Sequence, residues 1–407
     1  MNAALAPPIE SQMNGSSSSA QSPPIRVGFV MHVMQVAGAE VLVKQIIERL
    51  GDRIEATVFC LDSLGELGRQ LLDAAIPVVV LDRQPGFDRS VGKKLAAEVR
   101  SRGIEILHAH QYTPFFYSAL ARMFGRARCK IIFTEHGRHY PDIVSWKRLW
   151  ANRLLLSHCA DIATASCDFS TEAVRHVEGF AKTFTLPNGV DVAELPARGN
   201  AQQQGELRSR LGLDVSRAYA ACVARFHLVK DHSMLIRGWA KVHVAQPDAK
   251  LLLVGDGPER NAIENQIQGL ASQDAALAAL SSSIEFLGIR HDVGDILRAV
   301  DVFTLTSVSE AASLTLLEAM ASECASVITD VGGNAEHLRQ GIDGFLVPRG
   351  DDSQLALKLI HLLSDSSTTQ KFGRSARRRV EEKFSLADSV AHYHKLYEQL
   401  ACTTGMR

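Results

Sequence analysis

Residues 305–336 read LTSVSEAASLTLLEAMASECASVITDVGGNAE, a pattern that predicts the end of a strand, a small-residue loop, a helix and a second strand. At its centre are two carboxylates with seven residues between them, Glu310 in the loop and Glu318 on the helix. The short side chains of residues 311–313 let a ligand approach the backbone N–H groups at the start of the helix. Such helix starts attract anions, so the stretch predicts an anion-binding βαβ unit.

Length and charge predict a two-domain protein with only local anion sites. A chain of 407 residues, 46% of them hydrophobic, exceeds the roughly 250–300 residues at which a single core usually splits. Its 44 basic residues nearly balance its 45 acidic ones, and a net charge of −1 gives no general attraction for nucleic acid or anionic lipid. We therefore expect no nucleic-acid partner.

Cysteine usage and hydropathy predict a soluble cytoplasmic protein. The seven cysteines are scattered and form no C-x-x-C pair, so neither a disulfide framework nor a zinc site is indicated. No apolar run approaches the roughly 20 residues that span a bilayer, and the N-terminus lacks a signal-peptide pattern. Residues 1–24 are rich in Ser, Pro, Ala and Gln, which predicts a disordered tail.

From Ile25 onward, short apolar strands alternate with helical patterns, which predicts parallel, doubly wound sheets. In the first half, the predicted strands are 25–31, 57–61, 78–81, 104–109, 130–134 and 161–165. A loop at 186–191 and a linker-like polar stretch at 198–204 place the domain boundary near residue 195. In the second half, the predicted strands are 220–224, 250–254, 284–287, 302–305, 326–329 and 344–347. A final helix at 386–402 fits either domain.

Two loops of the second half could hold an anion. In ARFHLVKDH, residues 224–232, Arg225 and Lys230 follow a strand and suit a phosphate or diphosphate. The alternative is a solvated charge pair at a helix start, the usual place of Lys and Arg. GDGPER, residues 255–260, also joins a strand to a helix but lacks the G-x-G-x-x-G fingerprint of a dinucleotide site. It is either part of the same site or a plain turn.

The glutamates and the histidines could each be functional or merely structural. Either one of Glu310 and Glu318 faces ligand hydroxyls, or both are ordinary helix-start and solvated glutamates. His108 and His110 end one strand, and His136 ends another beside a glycine. A structural role fits His108 better, whereas His136 is the better functional candidate.

Residues 146–154, WKRLWANRL, mix tryptophan with basic residues on a predicted helix. Such a helix contacts a membrane or an anionic acceptor, or, as is more common, simply packs on its own domain.

The ordered set of motifs resembles the retaining glycosyltransferases of family four, and the likeness runs from about Ile25 to the end of the chain. The matching motifs are AGAE (37–40), HAH (108–110), TEHG (134–137), PNGVD (187–191), ARFHLVKD (224–231), VGDGPE (254–259) and the two spaced glutamates. The resemblance implies an α/β fold of the GT-B type, in which two Rossmann-like domains with doubly wound parallel sheets face each other across a cleft. The implied domains are 25–195 together with 385–407, and 196–384.

The resemblance also implies roles for individual residues. Glu318 would bind the ribose hydroxyls of a nucleotide-sugar donor, Glu310 a hydroxyl of its sugar, and His136 would lie near the anomeric carbon. His136 and Glu310 are thus the catalytic candidates. The residues expected at the donor diphosphate are Arg225, Lys230, Gly38, Ala312, Ser313 and Leu314. Further candidates for the cleft are His110, Gly255 and Arg290.

The implied reaction moves a hexose-like sugar from a UDP- or GDP-sugar to a glycan or lipid-linked acceptor, with retention and without metal or cofactor, in surface polysaccharide synthesis. Fixed cations and helix N–H groups would stabilise the leaving diphosphate. The enzyme would be cytoplasmic, with weak peripheral contact of its N-terminal domain at the inner membrane face. The alternatives are a sugar-nucleotide epimerase on the same fold and a non-catalytic nucleotide-sugar-binding protein.

The chain departs from the usual family pattern at three places. Ala311 stands where a glycine usually follows the first glutamate, Ala37 replaces a second glycine, and residues 323–325 replace a Gly-x-Pro. The methyl group of Ala311 would lie near the donor sugar, so it bears on sugar preference and on catalytic competence. No charged group with an implied role is missing.

Overall fold

The computed structural model of the chain describes residues 23–137 and 146–404. The predicted disordered tail, residues 1–24, lies outside the described residues except for its last two. The chain separates into two compact units, one with 1–187 and 388–407 and the other with 188–387. The sequence placed the corresponding boundaries near 195 and 385.

The first unit alternates strands and helices around a parallel sheet. In chain order its elements are β1 (Ile25–Val33), α1 (Gly38–Leu50), β2 (Ile54–Ser63), α2 (Glu66–Asp73), β3 (Val78–Val80), α3 (Arg89–Ser101), β4 (Ile106–His110), α4 (Tyr112–Met123), β5 (Lys130–Glu135), α5 (Trp146–Leu154), β6 (Ile162–Ala165), α6 (Asp168–His176) and β7 (Thr183–Thr185). The described strands form one seven-stranded sheet in the order β3-β2-β1-β4-β5-β6-β7, with parallel neighbours throughout. Every residue of β4 is buried, as expected for a central strand covered on both faces.

The second unit repeats this plan. Its elements are α7 (Ala201–Arg210), β8 (Tyr219–Val223), α8 (His232–Ala245), β9 (Lys250–Val254), α9 (Arg260–Gln273), β10 (Ile284–Gly288), α10 (Val293–Ala299), β11 (Val302–Leu305), α11 (Leu314–Ala321), β12 (Ala325–Thr329), α12 (Asn334–His337), β13 (Gly344–Val347), α13 (Asp352–Ser364) and α14 (Ser366–Lys383). The described strands form a six-stranded parallel sheet in the order β10-β9-β8-β11-β12-β13. The prediction of doubly wound parallel sheets is therefore confirmed.

The last helix, α15 (Leu386–Thr404), carries the chain back to the first unit. Tyr393 and Tyr397 are fully buried there, and the Tyr397 hydroxyl lies 2.7 Å from Nδ1 of His108 on β4. No helix among the described residues combines the length and the apolar character needed to cross a membrane.

The prediction of a linker at 198–204 is wrong, because α7 begins at Ala201 inside it. Asn200 and Gln203 form a reciprocal capping box, which satisfies N–H groups at the start of this polar helix. Arg208 then anchors the helix, since its Nη2 lies 2.8 Å from a carboxylate oxygen of Asp301. The helix is held by its cap and a long-range ion pair, neither of which produces a hydrophobic periodicity.

Both sheets reverse their strand order once, between β1 and β4 in the first unit and between β8 and β11 in the second. At such a point the connections leave toward opposite faces of the sheet, which opens a crevice at the carboxyl ends of the two strands. The loops after β1, β4, β8 and β11 are therefore where each unit is most able to bind a ligand.

Candidate functional site

The loops that follow β8 and β11 are joined by polar contacts. Thr306, buried just beyond β11, donates its hydroxyl to the carbonyl of Asp231 at 2.9 Å. From the other side, the Thr329 hydroxyl at the end of β12 donates to the carbonyl of Ser307 at 2.6 Å. These bonds fix the loop between β11 and α11 against the end of the β8 loop.

Lys230 and Glu310 form an ion pair where these loops meet. The Lys230 ammonium contacts Oε1 of Glu310, and the Ser307 hydroxyl donates to the same oxygen at 2.6 Å. The Glu310 side chain is only 10% exposed, and that of Lys230 is 23% exposed. Partly buried charges are screened less than surface ones, so removing either partner leaves the other poorly compensated. The structure thus brings together two residues that the sequence assigned to different parts of one ligand.

Two glycines hold the backbone of Glu310 in place. The Gly333 N–H donates to the Glu310 carbonyl at 3.1 Å. Gly332 has φ +54°, and a Cβ atom at this position would overlap the same carbonyl oxygen. Glycine alone accommodates both the left-handed backbone and the close approach. Gly332 and Gly333 therefore position Glu310, a role that the sequence did not reveal.

The other diphosphate candidates of the second unit lie after β8 and at the start of α11. Arg225 follows β8 and is exposed, and its guanidinium has no hydrogen-bond or ion-pair partner within the described chain. Ser313 caps α11, with its hydroxyl oxygen accepting the Leu316 N–H at 3.3 Å. Ala312 precedes the cap, and Leu314 begins the helix. An α-helix leaves its first N–H groups without intrahelical acceptors, so this end can donate to an anion.

Gly255 lets the turn after β9 approach the Arg225 loop. Its φ is +128°, and a Cβ atom there would overlap the carbonyl oxygen of Ala224. Its N–H donates to the carbonyl of Gly288 at 2.8 Å. Gly255 therefore supports the loop that carries Arg225.

Glu318 and Arg290 line one cavity of about 470 Å³. Burial raises the pKa of Glu318 to about 7. Nε of Arg290 donates to Asp292 at 2.7 Å, and hydrogen bonding from Arg290 lowers the pKa of that carboxyl. Further acids of the lining are Glu194 and Asp295. Carboxylates accept hydrogen bonds, so this cavity suits a ligand with hydroxyl and N–H donors better than a phosphate.

The sequence missed the acids of this cavity. Asp292 and Asp295 follow the carboxyl end of β10, just as Arg225 and Lys230 follow the carboxyl end of β8. The same positional rule could therefore have identified the two aspartates from the sequence. Glu194 lies in the segment between β7 and α7, where no local pattern marks it.

In the first unit, Gly38 is exposed and begins α1 in the loop after β1. Two residues later, Glu40 is buried, and desolvation raises the pKa of its carboxyl. This loop lies at the reversal point of the first sheet.

Three histidines lie together at the carboxyl ends of β4 and β5. Both nitrogens of His108 have partners, the Tyr397 hydroxyl at 2.7 Å and the Thr134 hydroxyl at 2.8 Å. Nδ1 of His110 lies 2.7 Å from Nε2 of His136, and their rings are stacked.

Burial keeps this histidine cluster uncharged. Desolvation lowers the pKa of His108 to about 3, lowers that of His136 to about 4 and holds that of His110 well below its usual value. All three rings are therefore neutral at pH 7. Within the described chain, Nε2 of His110 and Nδ1 of His136 are buried without a hydrogen-bond partner.

The candidate residues thus form two groups. Arg225, Lys230, Gly255, Glu310 and the start of α11 gather around the reversal point of the second sheet, and Glu318 lines the neighbouring cavity with Arg290. Gly38, His110 and His136 belong to the first unit. Within 23–137 and 146–404 no three His, Cys, Asp or Glu side chains are placed to hold a metal ion. Metal independence remains a prediction.

Comparison with known proteins places this architecture in a family. The family model described as Glycosyltransferase Family 4 matches residues 36–194, and that described as Glycosyl transferases group 1 matches residues 217–365. The N-acetyl-alpha-D-glucosaminyl L-malate synthase of Bacillus anthracis is 31% identical over 317 residues, which cover 77% of this chain and 79% of that protein. The chain belongs to glycosyltransferase family 4. Glycosyl transfer, expected from the motifs, is thereby confirmed at the level of the family.

The glycosyltransferase is similar to other proteins over most of its length. The GDP-mannose-dependent monoacylated alpha-(1-6)-phosphatidylinositol monomannoside mannosyltransferase of Corynebacterium glutamicum is 28% identical over 302 residues, which cover 69% of this chain and 75% of that protein. The crystal structure of Anabaena Alr3699/HepE in complex with UDP superposes with a TM-score of 0.79 at 22% identity, covering 92% of this chain and 100% of that chain. The expected GT-B fold, built from two Rossmann-like domains, is confirmed.

Proposed function

We propose that this glycosyltransferase transfers a hexose-like sugar from a UDP- or GDP-sugar to a glycan or lipid-linked acceptor, with retention and without metal, in surface polysaccharide synthesis. The observation that carries the proposal is the Lys230–Glu310 pair at the reversal point of the second sheet. A fixed cation and a carboxylate that accepts hydrogen bonds are what a sugar diphosphate needs at neighbouring positions.

The donor diphosphate would bind to groups that are already in place. Arg225 is unpaired within the described chain, Lys230 is oriented by Glu310, and the start of α11 offers N–H groups. Expelling a nucleoside diphosphate develops negative charge on phosphate oxygens, and fixed donors stabilise that charge without reorganising. The Glu310 carboxylate retains lone pairs for a hydroxyl of the donor sugar.

The nucleoside would enter the cavity beside Glu318, whose carboxylate accepts hydrogen bonds from the ribose hydroxyls. The acidic lining supports this assignment, because it favours hydroxyl and N–H donors. The names of similar proteins contain both donor classes, with GDP-mannose in the C. glutamicum enzyme and UDP in the Anabaena complex. Both nucleotides therefore belong in the test.

In the proposed reaction, the bond from the anomeric carbon to the acceptor oxygen forms as the bond to the diphosphate oxygen breaks. The acceptor's proton passes to the leaving phosphate, so no protein base is needed. His136, kept neutral by burial, would act near the anomeric carbon as a hydrogen-bonding group rather than as an acid. The proposed setting is the cytoplasm, with peripheral contact at the inner membrane face.

A nucleotide-release screen over UDP-, GDP- and ADP-sugars, with and without lipid-linked acceptors, tests the proposal. We expect acceptor-dependent release from a UDP- or GDP-sugar, no loss in EDTA, and a fall of about tenfold or more in Glu310→Gln, since a charge-assisted hydrogen bond is lost. Glu206→Gln, an exposed change on α7, is the matched control.

Three results would contradict parts of the proposal. Unchanged turnover in Glu310→Gln would remove its assigned role, and loss in EDTA would remove metal independence. Conversion of the free sugar nucleotide without acceptor would identify an epimerase instead.

A further inference from the structure

Helix α5 presents large apolar side chains to solvent. Trp146 is 69% exposed, Trp150 is 56% exposed and Leu154 is 71% exposed. Their spacing of four residues puts all three on one face of the helix. Leu149 and Asn152, which point elsewhere around the helix, are buried. A single exposed hydrophobic residue needs no explanation, but three in a row on one helix face indicate a contact surface.

A cavity of about 700 Å³ adjoins this face and is lined by cations. Arg153 connects the two, because it lies seven residues after Trp146, on the same face of α5, and also lines the cavity. His158 and Lys182 line it too. Within the described chain, none of these three side chains has a hydrogen-bond or ion-pair partner, so all three are available to an anion.

The other charges of the cavity are already compensated. The carboxylate of Asp161 lies 2.6 Å from Nη1 of Arg122 and 3.2 Å from Nζ of Lys130. Arg175 is paired with Glu172, whose Oε1 lies 2.9 Å from Nη1 of Arg175. The uncompensated charge of the cavity is therefore positive.

We propose that the α5 surface, meaning Trp146, Trp150 and Leu154 with the cations Arg153 and Lys182 and the imidazole of His158, docks the first unit on an anionic lipid bilayer. Indole rings prefer the headgroup region, and an apolar helix face sinks into the boundary between headgroups and acyl chains. Lipid phosphates would meet the cations of the cavity. This docking rests on the peripheral membrane contact proposed above and names its surface, but it does not depend on which sugar is transferred.

The positive charge of the α5 surface favours an anionic bilayer over a second copy of the chain. A two-fold contact centred on this surface would bring the same cations of two copies together, which repels. A bilayer rich in acidic lipid supplies apolar depth and negative charge in one surface, and the α5 surface carries the complement of both. The nearly neutral net charge of the protein, −1, means that this attraction is local to the surface.

Flotation of the full chain with vesicles tests the proposal. We expect binding to phosphatidylcholine vesicles that contain about one-third phosphatidylglycerol, and much weaker binding to phosphatidylcholine alone. Arg153→Ala/Lys182→Ala should weaken partitioning about thirtyfold, because two cations near the membrane are lost. Trp146→Ser/Trp150→Ser should weaken it on the order of tenfold or more.

Matched controls come from exposed positions of the second unit. Lys371→Ala/Arg374→Ala on α14 makes the same change in charge, and Leu357→Ser on α13 removes an apolar side chain that is 56% exposed. Both should leave vesicle binding unchanged. Unchanged circular dichroism and Tm in every variant separate lost binding from lost folding.

Tryptophan fluorescence locates the contact. Of the three tryptophans in the chain, Trp239 is fully buried and its Nε1–H donates to Ser283 at 3.1 Å. A blue shift with anionic vesicles, and quenching by brominated lipid, therefore report on Trp146 and Trp150.

Equal binding to neutral and anionic vesicles would overturn the proposal. So would vesicle binding without quenching, which would leave the tryptophans outside the membrane. Sedimentation that shows a dimer dissociated by Trp146→Ser/Trp150→Ser would identify the α5 surface as a contact between copies instead.

Discussion

The two units reverse their strand order in the same way but carry opposite chemistry near the reversal. In the second unit, Lys230 and Glu310 meet as a charged pair. In the first unit, His110 and His136 meet as neutral imidazoles. The shared topology provides a crevice in each case, and the side chains decide what kind of ligand it receives.

The degree of burial explains this contrast. Lys230 keeps 23% of its side chain exposed and has a carboxylate partner, so its charge is compensated. His110 is 1% exposed and has no acidic partner within the described chain, so the charged ring would be strongly disfavoured. We therefore expect the second unit to bind the charged diphosphate and the first to bind neutral hydroxyl groups.

The largest effect should come from the backbone that supports the charged pair. Gly332→Ala should lower the free energy of unfolding by about 2–5 kcal/mol, because it combines a strained left-handed backbone with overlap on the Glu310 carbonyl. Urea unfolding of the variant measures this loss.

Gly350→Ala is the matched control for this change. Gly350 has a similar φ of +79°, but nothing lies within 4 Å of the added Cβ atom. It should cost only the backbone strain, about 1–2 kcal/mol. If the two variants lose the same free energy of unfolding, the contact between residue 332 and the Glu310 carbonyl does not affect stability.

The next largest effect should be on donor binding, through the ammonium group of Lys230. Lys230→Ala should weaken binding of the nucleotide-sugar donor by about 1.5–3 kcal/mol, the value of a hydrogen bond to a charged group. Titration calorimetry with UDP- and GDP-sugars measures it, and a double-mutant cycle with Glu310→Gln separates the pair's coupling from direct contact with the donor.

Lys241→Ala provides the comparison for Lys230→Ala, since Lys241 is also paired with a carboxylate, Asp352, in the same unit but on α8. It should leave donor binding unchanged. An unchanged Kd in Lys230→Ala would refute the diphosphate assignment.

The neutral histidines predict a loss of stability in acid. The pKa of His108 is lowered to about 3, below its usual value near 6.5, so the unfolded chain binds a proton that the folded chain does not. The stability that the folded chain gains from this neutral ring is fully present above pH 6.5. It is lost as the pH falls toward 3, by about 1.4 kcal/mol of unfolding free energy per pH unit. His108→Asn should remove that share of the loss between pH 6.5 and 5.5, measured by hydrogen exchange of β4 amides.

Tyr397→Phe separates the proton from the hydrogen bond. It removes the hydroxyl that lies 2.7 Å from His108 but no group that titrates in this range. It should lower stability about equally at pH 7.5 and 5.5, by about 1 kcal/mol. If His108→Asn and wild type lose the same stability in acid, the buried-imidazole explanation is wrong.

The sequence predicted the strands well because each central strand is a short apolar run with a turn at either end. It also placed Arg225, Lys230 and Glu310 after the carboxyl ends of strands, as the structure does, since that position is visible locally. It could not show that Lys230 contacts Glu310, because 80 residues separate them and only the β8–β11 neighbourhood joins them. The outward face of α5 was equally hidden, since the pattern of residues 146–154 fits packing inward or outward.

The smallest expected effect is a pH dependence of nucleoside binding that comes from Glu318. The pKa of Glu318 is raised to about 7 by burial, so this residue of the second unit titrates where the buried histidines of the first do not. A carboxylate accepts ribose hydroxyls better than a carboxylic acid does, so nucleoside binding should tighten between pH 6 and 8, by less than about tenfold. Uridine and guanosine carry no phosphate, and calorimetry with them isolates this carboxyl from phosphate ionisation. Glu318→Gln should abolish the pH dependence, whereas Glu194→Gln in the same cavity should preserve it; a pH dependence that survives in Glu318→Gln would place the ribose elsewhere.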